Sequence, residues 1–316
     1  MNIKDKLGIT LTTYNRCQKA KRTLETLLAD NSPVRLFDIT VQDNNSSDGT
    51  PEMVAELQLK HPNLHYRKNP YNLGISGNIA KAMELADKEY HWNICDDDNF
   101  SWTGWSELES AISNGEKVIC IANYLMKDQY ANRFEYQLLQ MSFVPGLIIH
   151  TSLFTDTTIR NSFDNIFTLF PHLVPIVTFH NTGGTVHALS TAIVCNGMER
   201  TTDCSYLRGA RPDVIFQRSR TMTWLVGYSN ILANLNDTKL AKECFQTVLT
   251  GDHSFRCGYR EFLAQCFFTF RGRKNKMQIA DLLPLCSWPL RLALRLISIL
   301  QDSPLYHLAV KLQSWK

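Results

Sequence analysis

Tyr90-His91-Trp92-Asn93-Ile94-Cys95-Asp96-Asp97-Asp98 is the stretch on which the fold turns. Tyr90 to Cys95 reads as a strand, and it runs straight into three aspartates. Solvated loops are polar as a rule, but three adjacent carboxylates directly behind a buried strand are unusual. At neutral pH they repel one another, and a divalent cation relieves that repulsion. Hard oxygen ligands suit Mg2+ or Mn2+, and Mg2+ usually takes one or two carboxylates plus substrate phosphates. Asp96 and Asp98 are therefore candidate metal ligands for a bound diphosphate.

Upstream, strand and helix alternate. Leu7 to Tyr14 is β-rich and reads as a buried strand; Asn15 is a candidate cap, and Ala20, Leu24, Leu27 and Leu28 then recur at helical spacing. Phe37, Ile39 and Val41 alternate as a second strand. Thr50-Pro51 predicts a cap and a first-turn proline, with Met53, Val54 and Leu57 on the apolar face. His65 to Lys68 is a short third strand, and a helix follows over about Ser76 to Ala86. Such alternation predicts an α/β fold with a mostly parallel sheet flanked by helices. Ligands of these sheets sit beyond the carboxyl ends of the strands. The polar clusters fall at those ends: Thr12 to Asn15, Asp43 to Asp48, Asn69 to Gly74, and Asp96 to Asn99.

Several chemistries are excluded by pattern. Asp43 to Thr50 superficially suggests an EF-hand, but the sixth position is Asp48 where glycine is required and the twelfth is Val54 where glutamate is required. No G-x-G-x-x-G follows the first strand, and there is no P-loop and no G-x-S-x-G elbow. A carboxylate and an amide at a strand end can instead meet a nucleobase edge.

Four motifs in this order resemble the family 2 glycosyltransferases of the GT-A fold: Thr13-Tyr14-Asn15-Arg16, Val41 to Thr50 (VQDNNSSDGT), Asn72-Leu73-Gly74 and Asp96-Asp97-Asp98. The resemblance covers about residues 7–150. It implies that Thr12 and Tyr14 lie along the nucleoside, that Asp43 and Asn44 bind the base, most often uracil, and that Asn72 and Gly74 belong to the same nucleotide site. It implies a D-x-D-type role for Asp96 to Asp98, with Asp98 the main metal ligand and Asp96 near the ribose or the metal. It also implies inversion of the anomeric centre in one displacement, with a general base taking the acceptor proton. Asn44 stands where many relatives have a second aspartate, and Gly77 precedes Asn78 where many carry arginine. The usual downstream Glu-Asp pair is missing. Asp164, His172 and Asp203 are the first candidates for the base, then Asp156 and Glu199; His172 is equally readable as a structural histidine.

Phe143 to His150 predicts a further strand, and Thr221 to Leu235 a helix. We divide the chain into a GT-A domain over 1–255 and a basic amphipathic helical tail over 256–316, with a nucleotide-binding half at about 7–105 and an acceptor side at about 140–255. The tail holds ten Lys and Arg against three Asp and Glu, a balance of +7, while the rest of the chain stands at −4. Arg271, Arg273, Lys274 and Lys276 form a basic run, and Arg291 and Arg295 share one helix face, with Leu292, Leu296, Ile299 and Leu300 on the other. After Pro304, Leu305, Leu308 and Leu312 continue the pattern to Trp315. This is the composition of a helix lying on an anionic membrane surface; packing on the catalytic domain or on a second subunit is the alternative.

The 316 residues, 44% hydrophobic and 20% charged, are ordinary globular composition, and the formal charge of +3 gives no reason to expect nucleic acid. Nine cysteines without a C-x-x-C pair read as free thiols of a reducing compartment, and the N-terminal apolar stretch reads as too short and too polar for a signal peptide. The expected protein is a cytoplasmic, peripheral-membrane transferase. It takes a nucleotide-sugar donor and a glycan acceptor, with a polyprenyl-linked acceptor the first option, and Mn2+ or Mg2+ as cofactor. A soluble enzyme dimerised through its tail and a catalytically silent binding module are the competing readings.

Overall fold

The computed structural model describes residues 2–121, 132–195, 220–251, 258–269, 280, 282–301 and 303–304. The chain divides into two compact units, Met1–Arg211 and Pro212–Lys316.

In the first unit the strands are β1 (Leu7–Thr13), β2 (Ile39–Asp43), β3 (Leu64–Lys68), β4 (Tyr90–Cys95), β5 (Asn99–Phe100), β6 (Val118–Cys120), β7 (Leu147–His150), β8 (His187–Ala188) and β9 (Val194–Cys195). Seven of them form one sheet in the order β3-β2-β1-β4-β7-β6-β8. β1 to β4 are mutually parallel, β7 runs antiparallel to β4 and β6, and β8 is parallel to β6. The helices are α1 (Ile3–Lys6), α2 (Cys17–Leu27), α3 (Thr50–Gln58), α4 (Gly74–Glu84), α5 (Trp105–Ser113), α6 (Phe134–Met141), α7 (Asp156–Asp164) and α8 (Val174–Asn181).

The two sheet faces differ in chemistry. On one, Leu7, Ile9, Leu11, Ile39, Val41 and Ile94 pack with Leu24 and Leu27 of α2, Val54 of α3 and Ile112 of α5. Full burial of each such side chain is worth about 1.5–3 kcal/mol. The alternate residues Thr10, Gln42, His91 and Asn93 face the other way and are also buried, on the side where α4 packs. This polar face is why an apolar count alone does not reveal that the strands are covered on both sides.

Three expectations are corrected in detail. Phe143 to Gly146 is not strand: Val144–Gly146 is a 3-10 turn, because Pro145 cannot serve a ladder and its carbonyl accepts from Trp92 Nε1 at 2.9 Å. Asn15 does not cap α2; Arg16 is the residue at that position, and Asn15 sits at φ 50°. Thr50 does not cap α3; Gly49 does, at φ 84°, a conformation a β-branched residue resists.

The second unit is helical: α9 (Arg220–Leu232), α10 (Thr238–Thr250), α11 (Tyr259–Thr269), a 3-10 turn at Leu283–Leu285 and α12 (Trp288–Leu300). The four α-helices and the turn pack around Leu225, Phe245, Val248, Phe262, Leu290 and Leu294. The charge change near residue 256 falls inside this unit. Arg271, Arg273, Lys274, Lys276, Leu305, Leu308, Leu312 and Trp315 lie outside the described residues. Among the described residues no helix is long and apolar enough to cross a membrane. Among the described residues, Cys17, Cys95, Cys120, Cys244, Cys266 and Cys286 are not in disulfides.

Candidate functional site

The carboxyl ends of β1, β2 and β4 bring three of the four motifs together, and the loop after β3 adds the last. In the ladder Thr13 lies beside Asp43 and Thr12 beside Cys95. Two further main-chain bonds extend the register past the strands, Asn44 N–H to the Thr13 carbonyl (2.9 Å) and Asn69 N–H to the Asp43 carbonyl (2.8 Å). A concavity of about 70 Å³ opens there, lined among others by Thr12, Tyr14, Asn44, Asn72 and Asp96. Five of the expected nucleotide-site residues thus line one pocket.

Asp43 and Gly74 do not line it. Asp43 is fully buried; its Oδ1 accepts from Ser46 N–H (2.9 Å) and Ser46 Oγ (2.6 Å), and its Oδ2 accepts from the Tyr66 hydroxyl (2.5 Å). Burial first, then this carboxylate, push the Tyr66 phenol well above its ordinary range. Gly74 contributes its carbonyl, which accepts from Asn44 Nδ2 at 3.2 Å. The segment Asn44 to Asp48 bolts three loops together. Ser46 Oγ accepts from Asn15 N–H, and Asn15 Oδ1 accepts from Ser47 N–H, both at 2.8 Å. Asp48 Oδ2 accepts from Cys17 N–H (2.8 Å) at the start of α2, and its Oδ1 accepts from Thr50 Oγ1 (2.6 Å) at the start of α3.

Amides hold the pocket floor. Asn44 Nδ2 donates to Asn72 Oδ1 (2.6 Å), and Asn44 Oδ1 accepts from Leu73 N–H (2.8 Å) and Asn69 Nδ2 (3.0 Å). Asn69 Nδ2 also reaches Asn78 Oδ1 (2.8 Å), and Gln42 Nε2 donates to Asn69 Oδ1 (2.8 Å). With its own carbonyl oxygen occupied, Asn72 presents an Nδ2 group that has no acceptor among the described residues. At position 77, where glycine stands, a Cβ would lie 2.9 Å from Leu73 Cβ, so a side chain there requires the turn to shift.

At the β4 end, Asp96 is buried; its Oδ2 accepts from Thr13 Oγ1 (2.7 Å) and its Oδ1 from Arg16 Nη1 (2.5 Å). The other arm of Arg16 reaches Asp97 Oδ2 at 2.6 Å. Burial pushes the Asp96 carboxyl up to about 6, against the pull of Arg16 and Thr13. Asp98 is buried too and is likewise raised, by burial first and by Asp97 and Asp96. Its Oδ2 accepts from Cys95 N–H at 2.7 Å, and its Oδ1 has no donor among the described residues. That donor set fits a hard divalent cation on a single carboxylate oxygen. Among the described residues no three His, Cys, Asp or Glu groups converge, so phosphate and water oxygens would have to complete the shell. Thr13 and Arg16 belong to the first motif but carried no expected role; a cation there beside three aspartates in the fourth motif was the available signal.

The base candidates are scattered. Asp164 is exposed at the C-terminal end of α7, and Asp156 is exposed at its start. His172 is buried in a 3-10 turn, with Nε2 3.0 Å from the Met141 carbonyl and Nδ1 unpartnered among the described residues; burial drops its pKa to about 4. Asp203 and Glu199 lie outside the described residues. The D-x-D end is tied to the later chain by β5–β9 pairing, Asn99 to Cys195, and by Ser101 N–H donating to the Ile193 carbonyl (2.7 Å).

Similarity to known proteins agrees with this geometry. Abequosyltransferase RfbV of Salmonella typhimurium is 34% identical over 97 residues, 29% of this chain and 28% of that protein. The GalNAc(5)-diNAcBac-PP-undecaprenol beta-1,3-glucosyltransferase of Campylobacter jejuni is 28% identical over 111 residues, 35% of each chain. The matches thus span about a third of these relatives' length. In structure, S. aureus TarS 1-349 in complex with UDP-GlcNAc superposes with a TM-score of 0.62 at 15% identity, covering 97% of this chain and 87% of that one, which shows the GT-A fold. The profile of Glycosyl transferase family 2 matches residues 9–184, more than half the sequence, and the chain belongs to that family.

Proposed function

We propose that the protein is an inverting, divalent-cation-dependent glycosyltransferase. It moves a sugar from a UDP-sugar to a glycan acceptor carried on a polyprenyl lipid, in bacterial surface-glycan or glycoprotein assembly. The observation that carries this reading is the meeting, at the carboxyl ends of the strands, of an amide-lined pocket with the buried Asp96, the buried Asp98 following two residues on. The C. jejuni relative's name specifies an undecaprenol-linked acceptor, and the TarS complex contains UDP-GlcNAc; both support the substrate classes chosen.

Tyr14 and Thr12 flank the nucleoside, and Asn72 Nδ2 is free to donate to a carbonyl oxygen of the base. Asp96, held by Thr13 and Arg16, faces the ribose side. Asp98 would hold Mn2+ or Mg2+, which when bound stabilises the charge on the departing diphosphate. The acceptor oxygen bonds to the anomeric carbon on the face opposite the diphosphate. The old C–O bond breaks with its electron pair on the phosphate, and the acceptor proton passes to a base. Of the candidates, Asp164 is open to an acceptor, His172 has to be uncovered first, and Asp203 stays in the set. A lipid-borne acceptor is met at a membrane surface, so we place the enzyme in the cytoplasm on the inner face of the cell membrane.

A panel of nucleotide sugars tested with and without Mn2+ in thermal unfolding checks the reading, since only ligands of the folded state raise Tm. UDP-sugars should stabilise selectively, EDTA should reverse the effect, and Asp98→Ala should lose it while melting as a folded protein. Full transfer activity in excess EDTA would remove the metal from the reaction. Stabilisation by UDP-sugars without transfer to any lipid-linked glycan would favour a binding module.

A further inference from the structure

The last described helix is apolar on two opposite sides. Leu290 and Leu294 of α12 are buried at 5% and 0% exposure, and at the end of the helix Gln301 Nε2 donates to the Cys266 and Phe267 carbonyls (2.9 and 2.7 Å), fixing which side faces inward. The opposite side carries Trp288, Leu292, Leu296 and Ile299, spaced four, four and three apart, at 74%, 46%, 51% and 68% exposure. These are not the scattered single apolar residues of an ordinary surface; they form one continuous stripe. Arg295 is exposed on this same side, which corrects the expectation that the arginines and the outer leucines occupy opposite faces: the inward face belongs to Leu290 and Leu294. Arg291 lies toward its border, with Nε bound to the Cys286 carbonyl (2.8 Å) and Nη2 to the Pro284 carbonyl (3.1 Å), so its charge is fixed in place. No acidic residue occurs from Leu282 to Gln301.

We propose that this outer stripe of α12 is a docking face for an anionic lipid surface. The proposal deepens the membrane reading by naming the contact face, and its test needs neither donor nor acceptor. Charge decides between occupants. In an antiparallel pair with a second copy, Arg295, near the middle of the helix, would meet its own counterpart with no carboxylate to offset it. An anionic bilayer offers that offset everywhere, and the tail as a whole carries +7. Length decides the mode: 13 residues at 1.5 Å each give a helix of about 20 Å, too short for a ~30 Å hydrocarbon core, so the helix lies in the interface. Trp288 at one end is the residue type enriched at that depth.

The test is sedimentation of the full chain with vesicles of phosphatidylcholine alone or mixed with phosphatidylglycerol, at low and high salt. The wild type should bind the anionic vesicles and shift its tryptophan emission to the blue, and Trp288→Phe should lose most of that shift. Leu292→Glu/Leu296→Glu should lower partitioning at least tenfold, and Arg295→Gln about fivefold at low salt, in line with one basic residue near such a surface. All sites are exposed, so Tm and UDP-dependent stabilisation should be unchanged; Arg295→Gln and Trp288→Phe keep the test open if the double variant misfolds. Binding by the wild type with no loss in the variants overturns the face and leaves the membrane reading standing. No vesicle binding, together with a dimer that Leu292→Glu/Leu296→Glu dissociates, overturns the proposal in favour of a self-interface. No binding and no dimer overturns it as well.

Discussion

Arg16 stands between two carboxylates, one buried and one half-exposed, and its planar fork satisfies both at once. Lysine has three donors on one nitrogen but no planar fork, so it does not hold both carboxylates at the separation that the two arms of Arg16 span. Arg16→Lys should therefore raise the donor KM about tenfold, the scale of a lost charge-assisted hydrogen bond, with Tm nearly unchanged. Equal donor affinity by calorimetry for the two proteins would take Arg16 out of the donor site. Asp43 shows the opposite case. Its place in the second motif implied a base contact, but one of its oxygens accepts from Ser46 of its own loop and the other from Tyr66 of the neighbouring strand β3. Polar residues at a strand end look alike in sequence whether they face the ligand or the loop beneath it. That is why Asn72 and Asp96 were legible as pocket residues while Asp43 sits one layer down.

At the level of elements, the Asp48 carboxylate serves two helices, accepting from Cys17 N–H and Thr50 Oγ1. Removing it strips the N-termini of α2 and α3 together. Asp48→Ala should cost about 1–2 kcal/mol, the upper range for a lost helix cap, read as a lower midpoint in urea. Asp48→Asn should recover part of it, because the amide oxygen still accepts. An unchanged midpoint for the alanine variant would mean that water replaces the clasp. Periodicity made β1 to β4 and α2 to α4 legible, since apolar alternation and helical spacing are local. The antiparallel direction of β7 was not, because direction is set by the partner strand rather than by a strand's own pattern. The outer stripe of α12 was visible as a run of leucines, but which leucines faced inward depended on where α11 packs.

For the molecule as a whole, two buried histidines impose a pH dependence. Burial lowers His91 and His172 from 6.5 to about 4. The unfolded chain takes up these protons first, so their stabilisation is complete above about 6.5 and is lost as pH falls toward 4, by up to ~3 kcal/mol each. Asp96, raised to about 6, has the opposite sign, so a single wild-type curve mixes the two. Comparison with His172→Gln isolates the histidine: the drop in urea midpoint from pH 7 to pH 5 should be smaller in the variant. Parallel curves would show that His172 is not buried neutral. A different kind of consequence attaches to Gly77. A side chain there meets Leu73 Cβ, which every residue but glycine possesses. An arginine at 77 therefore requires the turn between Leu73 and Gly77, at the start of α4, to shift. A packing contact outside the chemistry thus couples the choice of residue at 77 to the shape of the loop that carries Asn72.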